Sequence, residues 1–237
     1  PEYYLPIEWL DLLIEFSRKA KVNIISGLMP IKVGKRIFNI QAVVAPFIGN
    51  YNYKGSIVML REKNNYAPLD KQVIKNTDDC YCVDSNDPTY FIFNNKEIRF
   101  SSLICYELTD VKVRAMLKNN TDIVICSENN ADIQYFSNIV ESSARDLGAF
   151  MVQVNSSNFG DSRIVAPFKD KFKEIVNISG GTKDSTHIGI IKLKEYKNFL
   201  KKYFECDAKC EYDSINSVEK NKKYSKFKKP SARIKIK

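Results

Sequence analysis

The chain has 237 residues, of which 44% are hydrophobic and 27% are charged, and this composition predicts a globular protein with a substantial core. No apolar run approaches the ~18 residues that a membrane span requires, and no signal-peptide pattern is present, so we expect a reduced, cytoplasmic setting for the six cysteines. The formal net charge is +9, but residues 218–237 hold nine basic side chains against one acidic, so a near-neutral body precedes a basic tail.

The first third of the chain predicts one helix followed by three strands. Apolar residues recur at helical spacing over 6–20, with charged residues between them. A buried strand is predicted over 22–28 and a second over 36–46, where apolar and polar residues alternate. After a turn region at 49–55, residues 56–62 form the third strand, which ends at Lys63.

The rest of the chain alternates between strands and helices, which predicts an α/β protein with helices covering a layered sheet. A hairpin is expected at 90–104, and a strong helix at 134–147 ends at Gly148. The other predicted elements are helices at 111–118 and 194–204 and strands at 122–126, 149–154, 163–167 and 187–192. We expect one domain over 1–205 and a peripheral basic tail over 206–237.

Cys105 is the first candidate for chemistry, because an apolar, β-favouring run ends abruptly in its thiol. A strand end would hold the sulfur rigidly, and the turn after it would present backbone N–H groups to a substrate. A free cysteine is more often a small buried hydrophobe, so this string alone does not establish a nucleophile. The chain contains one histidine, His187, and a catalytic cysteine here would therefore need another base.

Lys63 and Glu2 are the candidate partners of the thiol, and each lies at the boundary of a predicted element. A nearby ammonium favours a thiolate, and a carboxylate can take the thiol proton and pass it to a leaving amine. Either residue alone reads as an ordinary solvated charge. A separate hypothesis, a four-thiolate zinc site, is weakly supported by the spacing of Cys80, Cys82, Cys206 and Cys210.

A series of short motifs around these residues resembles the carbon–nitrogen hydrolase, or nitrilase, superfamily, which uses a Glu–Lys–Cys triad. The resemblance covers roughly residues 1–192, and its strength lies in the order of the motifs. In chain order the matching segments are Pro1-Glu2, the strand 24–28, the Asn-containing strand 38–46, Lys63 with Pro68 and Asp70, Ile104-Cys105-Tyr106-Glu107 with Arg114, the strand 121–126, the helix end 144–146, the strand 150–155, and Gly160, Ser162 and Pro167.

The resemblance implies a four-layer α-β-β-α sandwich that hydrolyses an amide or a nitrile without a metal or cofactor. Glu2 would be the general base and Cys105 the nucleophile that forms a thioester. Lys63 and the backbone N–H of Tyr106 would stabilise the developing oxyanion. Supporting roles are implied for Asp70, Glu107, Arg114, Asn155 and Ser162. Oligomers are common in the superfamily, so we expect a homo-oligomer, most simply a dimer.

Three departures from the superfamily pattern stand out. The fold normally begins with a strand and a helix before the Pro-Glu motif, so the first βα unit is expected to be missing and the chain to be part of a longer protein. Asp70 stands where a helper glutamate is usual, and its shorter side chain puts the orientation of Lys63 in doubt. The polar, Asp-rich segment 76–88 is expected to be a lid or an insertion.

Two other functions stay open beside the hydrolase. The chain resembles nitrilase-like domains that are modules of larger proteins, including antiviral reverse transcriptases of bacteria, where the role would be structural or regulatory. The basic tail would then bind nucleic acid through phosphate contacts, although a short lysine run also serves as a solvated terminus. The candidate contacts are Lys222, Lys223, Lys226, Lys228 and Lys229. A catalytically inactive scaffold is disfavoured because all three triad residues are present.

Overall fold

A computed structural model describes residues 1–77, 79–95, 97–168, 173–181 and 186–202 of the chain. These residues fall into two compact units, Pro1–Gly189 and a unit that begins at Ile190. The part of the second unit that is described includes a helix at 193–202. Within the described residues, no helix is long and apolar enough to cross a membrane.

The first unit alternates between strands and helices, as the sequence predicts. In its described part the α-helices are α1 (Leu10–Ala20), α2 (Pro68–Asn76), α3 (Val111–Leu117) and α4 (Ile133–Leu147). The strands are β1 (Ile24–Gly27), β2 (Ile31–Val33), β3 (Arg36–Phe38), β4 (Ile40–Ile48), β5 (Lys54–Glu62), β6 (Ile92–Asn95), β7 (Ile98–Ile104), β8 (Ile123–Ser127), β9 (Phe150–Val154), β10 (Ser162–Val165) and β11 (Glu174–Ile178).

Two sheets form the centre of the unit. The smaller has the antiparallel order β1-β4-β5, and the larger has the order β11-β10-β9-β8-β7-β6, with β7, β8 and β9 parallel. Helix α1 packs on β4 and β5, whereas α4 packs on β9 and β10 and also contacts α3. The resulting order of layers is α-β-β-α, which confirms the predicted four-layer sandwich.

Helix α4 shows how local sequence builds one of these layers. Asp132 caps its first turn by accepting a hydrogen bond from the Tyr135 N–H, and Gly148 ends it in the left-handed region at φ 62°. The helix buries an apolar stripe in the main core, against residues of the strands β7, β8 and β9. Its core residues are Ile139, Val140, Ala144 and Leu147.

Polar contacts join the inner faces of the two sheets. The Gln41 side-chain amide of β4 donates to the Leu103 carbonyl at 3.2 Å and to Ser127 Oγ at 2.8 Å. Buried amides need such partners, so these hydrogen bonds set which part of the small sheet faces the ends of β7 and β8. That edge of the large sheet is where Cys105 lies.

The structure corrects several of the predicted elements. Residues 36–46, predicted as one strand, belong to two strands, β3 and β4, which are separated at Asn39. The predicted alternation of buried and exposed residues is absent at 41–44. These four residues are all buried, because β4 lies between helix α1 and the large sheet. Residues 187–192 form no strand, because Glu174–Ile178 pairs with β10 instead. Helix α2 and the β2–β3 hairpin were not predicted. Within the polar region after α2, Tyr81 forms an isolated β-bridge with Arg36.

Candidate active site

The carboxyl ends of three parallel strands bring candidate residues to one edge of the large sheet. Ile104, Ser127 and Val154 occupy the same register on β7, β8 and β9. The residues that follow them are Cys105, Glu128 and Asn155, so these three side chains begin side by side. Functional groups gather at such strand ends because the strands position them rigidly while the loops remain open to variation.

Cys105 begins a one-turn 3₁₀ helix, Cys105–Thr109, with a backbone φ of 47°. The left-handed region is unfavourable for a residue with a Cβ, so the surrounding contacts must hold this turn in place. The side chain is buried beside Ile104 and Phe136, and the Asn129 backbone N–H hydrogen-bonds the sulfur. Tyr106, the predicted oxyanion donor, is the next residue of the turn.

Glu2 reaches the same place from the small sheet. Its backbone N–H donates to the Glu128 carbonyl at 3.2 Å, and the Gly27 N–H donates to the Pro1 carbonyl at 3.1 Å. A Cβ on Gly27 would come within 2.7 Å of the Glu2 Cα, so only glycine allows this close approach. The Glu2 Oε1 accepts from the Asn39 side-chain amide at 2.5 Å.

Lys63 follows β5, and its ammonium lies between two carboxylates. Nζ is 2.9 Å from Glu2 Oε1 and 2.9 Å from Asp70 Oδ2. Asp70 comes from α2, so the shorter acid reaches the lysine because an unpredicted helix carries it there. Burial by itself lowers the pKa of Lys63, but the negative charge of Glu2, together with that of Asp70, outweighs it and raises that pKa. The ammonium is therefore charged at every working pH.

The resting form of Cys105 is the thiol. Burial and the Glu2 carboxylate raise its pKa well above the ordinary value, and the opposing effect of Lys63 is too weak to reverse this. Glu128 raises the pKa further, while the Asn129 N–H lowers it. Lys63 lowers the pKa of the thiol, as the sequence suggested, but too little to produce a preformed thiolate. A nucleophile at this position needs a base that removes its proton during the reaction.

Glu107 connects the lysine strand to the cysteine turn. Its carboxylate accepts two hydrogen bonds from Arg61, at 2.7 Å and 2.8 Å, in a fully buried ion pair. It also accepts from the backbone N–H of Asn64 at 2.6 Å and of Ile104 at 2.8 Å. One carboxylate thus holds the residues adjacent to Lys63 and Cys105. Sequence reasoning missed Arg61, although it lies two positions before Lys63 and so on the same face of β5.

Asn155 and Ser162 organise the loops around this edge. The Asn155 side chain donates to the carbonyls of Asn130, at 2.9 Å, and Gly160, at 2.8 Å, and accepts from the Asn130 N–H at 2.9 Å. The Asn155 N–H donates to Ser162 Oγ at 2.9 Å. Arg114, another predicted support, donates to Ser143 on α4 at 3.4 Å, within the helix layer.

Glu128 is the residue of this candidate site that sequence reasoning missed most completely. Its side chain is fully buried, and Oε2 accepts from Gln153 Nε2 at 2.8 Å, whereas Oε1 has no hydrogen-bond partner among the described residues. Burial raises the pKa of this carboxyl to about 7, against the hydrogen bonds from Gln153 and Cys126. The sequence did carry a signal for Glu128: it is an acidic residue directly after a buried strand, and that strand is the next one along the chain after the strand that ends before Cys105.

The raised pKa of Glu128 predicts a pH-dependent stability. Because the folded protein holds this proton more tightly than the unfolded chain, the free energy of unfolding falls as pH rises from about 4.5 towards 7. Each unit of difference between the pKa of Glu128 in the folded and in the unfolded protein changes the free energy of unfolding by about 1.4 kcal/mol. Urea denaturation at pH 5 and pH 8 should show that Glu128→Gln gains stability relative to wild type at the higher pH. A constant difference between the two proteins would contradict this assignment.

Other candidates are distributed elsewhere. A cavity of about 800 Å³ lies along β9 and β10, with Gln153, Asn155 and Ser162 in its wall, and Glu2, Lys63 and Cys105 do not line it.

Cys80, Cys82, Cys105 and Cys126 form no disulfide, and the described residues contain no group of three or more acidic, Cys or His side chains suited to a metal. The remaining zinc candidates, Cys206 and Cys210, and the proposed tail contacts Lys222, Lys223, Lys226, Lys228 and Lys229 lie outside the described residues.

Comparison with solved structures identifies the fold. The chain is similar to the NitN amidase of Nesterenkonia sp. AN1, with 13% sequence identity and a TM-score of 0.52 over 76% of this chain and 75% of that one. A Glu-to-Gln mutant of the same amidase, with acrylamide added to its active-site cysteine, matches at 13% identity and a TM-score of 0.53 over the same shares. That amidase belongs to the nitrilase superfamily.

A Cys-to-Ala mutant of that amidase in complex with butyramide matches at 13% identity and a TM-score of 0.50, over 76% of this chain and 73% of that one. Neither a protein-family model nor a curated protein sequence matches the chain. The chain therefore has a nitrilase-like fold, at a sequence identity that speaks for the fold alone.

Proposed function

We propose that this protein hydrolyses a non-peptide carbon–nitrogen bond, in an amide or a nitrile, through a thioester on Cys105. The observation that carries the proposal is the buried Glu2–Lys63 pair beside a strained cysteine turn at the end of β7. Glu2, Lys63 and Cys105 are far apart in the chain, but all three are buried and the charges of Glu2 and Lys63 act on the thiol, and such convergence is typical of an active site. The likeness to amidase structures supports the same reading.

The first half of the reaction forms the thioester. The Glu2 carboxylate takes the Cys105 proton as the sulfur attacks the substrate carbon, and the electrons of the carbonyl bond move to its oxygen. Lys63 and the Tyr106 N–H stabilise that oxyanion. The protonated Glu2 then gives its proton to the leaving nitrogen as the carbon–nitrogen bond breaks. The raised pKa of Cys105 makes this base essential.

The second half of the reaction releases the acid. Glu2 takes a proton from water, which attacks the thioester carbon, and the carbon–sulfur bond breaks as the proton returns to the Cys105 sulfur. Lys63 remains an ammonium throughout, because its neighbours raise its pKa. A nitrile substrate would first add the sulfur to give a thioimidate, and this would then add one water and release ammonia to reach the same thioester.

The direct test measures ammonia release from a panel of short aliphatic amides and nitriles. We expect Cys105→Ala to reduce release to background while the protein stays folded. Cys82→Ala is the matched control, since that thiol is only half-buried and lies outside the proposed site. Mass spectrometry of the wild-type protein should find the substrate acyl group on the peptide that carries Cys105. Full activity of Cys105→Ala would refute the proposal.

A further inference from the structure

The buried glutamates of the described residues differ in what neutralises them. Glu2 pairs with Lys63 and Glu107 pairs with Arg61. Glu128 is hydrogen-bonded only by neutral groups, the Gln153 amide and the Cys126 thiol, and no lysine or arginine of the described part forms an ion pair with it. A fully buried carboxyl without a counter-charge favours its protonated form.

This uncompensated carboxyl lies next to the cysteine. Ile104 and Ser127 are register partners on adjacent parallel strands, so Cys105 and Glu128 continue the two strands side by side, at a strand spacing of about 4.8 Å. The Cys126 thiol links them further, because it contacts the Cys105 carbonyl at 3.8 Å and hydrogen-bonds the Glu128 carboxyl. The Glu128 backbone carbonyl also holds the N–H of Glu2.

We propose that Glu128 is a positioning residue whose neutral carboxyl leaves the Cys105 thiol able to ionise, and whose carboxylate suppresses that ionisation. The proposal rests on the proposed function only for the role of Cys105 as the nucleophile. Glu128 would thereby set an upper pH limit on the reactivity of the site, acting through the sulfur without contact to the substrate.

The groups facing Glu128 explain why it titrates near neutrality. They are the carboxylates of Glu2 and Asp161, the thiols of Cys105 and Cys126, and the amide of Gln153. Burial raises the pKa of Glu128 to about 7, the hydrogen bonds from Gln153 and Cys126 oppose this, and the charges of Glu2 and Asp161 add to it. Above that pH its negative charge opposes a second negative charge on the sulfur of Cys105.

The test follows alkylation of Cys105 by iodoacetamide from pH 5.5 to 9, read by mass spectrometry of its peptide, in wild type and Glu128→Gln. Glutamine keeps the size and one acceptor oxygen but never ionises. We expect equal rates at pH 6, where both side chains are neutral, and about tenfold faster alkylation of the variant at pH 8.5, the effect of about one pKa unit. Cys82 serves as the internal reference, and Glu8→Gln, an exposed acid, as the matched variant.

A second variant keeps the proposal testable if Glu128→Gln does not fold. Gln153→Leu removes the hydrogen bond that favours the ionised Glu128, so alkylation of Cys105 should exceed that of wild type between pH 7 and 8. Parallel pH curves for all folded variants would overturn the inference. Diverging curves in a protein that hydrolyses no amide or nitrile would instead refute the proposed function and leave the effect of Glu128 on the thiol standing.

Discussion

Lys63→Met is expected to lower kcat/KM for amide hydrolysis by about 10³-fold and to destabilise the fold by about 3–5 kcal/mol. The substitution removes the proposed oxyanion donor and leaves the buried Glu2 carboxylate without its counter-charge. Asp70 loses the same partner, but it is partly exposed and water can replace the contact. Steady-state kinetics on the best substrate of the panel and urea denaturation measure the two effects.

The control for this variant is Lys71→Met, eight residues further along the chain. Lys71 also pairs with an acid, Asp84 at 2.5 Å, but both side chains are 43% exposed. Exposed pairs contribute about 0–1 kcal/mol, so this variant should remain close to wild type in stability and kinetics. If the two variants behaved alike, the buried Lys63 ammonium would have no special part in the site.

Glu107→Gln is expected to destabilise the protein by about 3–5 kcal/mol, because Arg61 would remain buried without its counter-charge. It should also impair catalysis, because Glu107 accepts hydrogen bonds from the backbone next to Lys63 and from the backbone next to Cys105. A displacement of about 1 Å of reacting groups can cost 10²-fold in rate. Urea denaturation and kinetics test both effects. A double-mutant cycle with Arg61→Met then measures the coupling of the pair.

Glu62→Gln provides the comparison for Glu107. It removes the partner of Arg36 from a pair in which one guanidinium nitrogen contacts both carboxylate oxygens, at 2.9 Å and 3.1 Å, and in which both side chains are about one-third exposed. The expected cost is about 0–1 kcal/mol. If the two substitutions lowered the free energy of unfolding equally, burial would not be what makes the Arg61–Glu107 pair important for stability.

Much of the fold followed from local patterns. The strand before Lys63, the strand before Cys105 and the helix that ends at Gly148 were all predicted to within two residues. These elements are long or strongly periodic, and turn residues mark their ends. The prediction failed at 187–192, which pairs with no strand of the described residues, and at α2, whose nine residues carry too weak a periodicity.

The candidate site divides in the same way. Sequence motifs singled out Glu2, Lys63 and Cys105, and the structure brings them to one edge of the large sheet. Sequence reasoning did not find Glu128 or Arg61, because an acid after a strand and an arginine within one are ordinary in isolation. The sequence also could not give the ionisation of the thiol, because burial and the carboxylates of Glu2 and Glu128 raise its pKa.

By itself the sequence determined the order of the longer elements and the positions of Lys63 and Cys105 at strand ends, because hydrophobic periodicity and turn chemistry act over a few neighbouring residues. Only the tertiary structure decided that Glu107 pairs with Arg61, that α2 carries Asp70 to Lys63, and that Glu128 lies beside the thiol. Those contacts join residues that are distant in the chain or arise from strand register. They also depend on burial, which sets the strength of every charge involved.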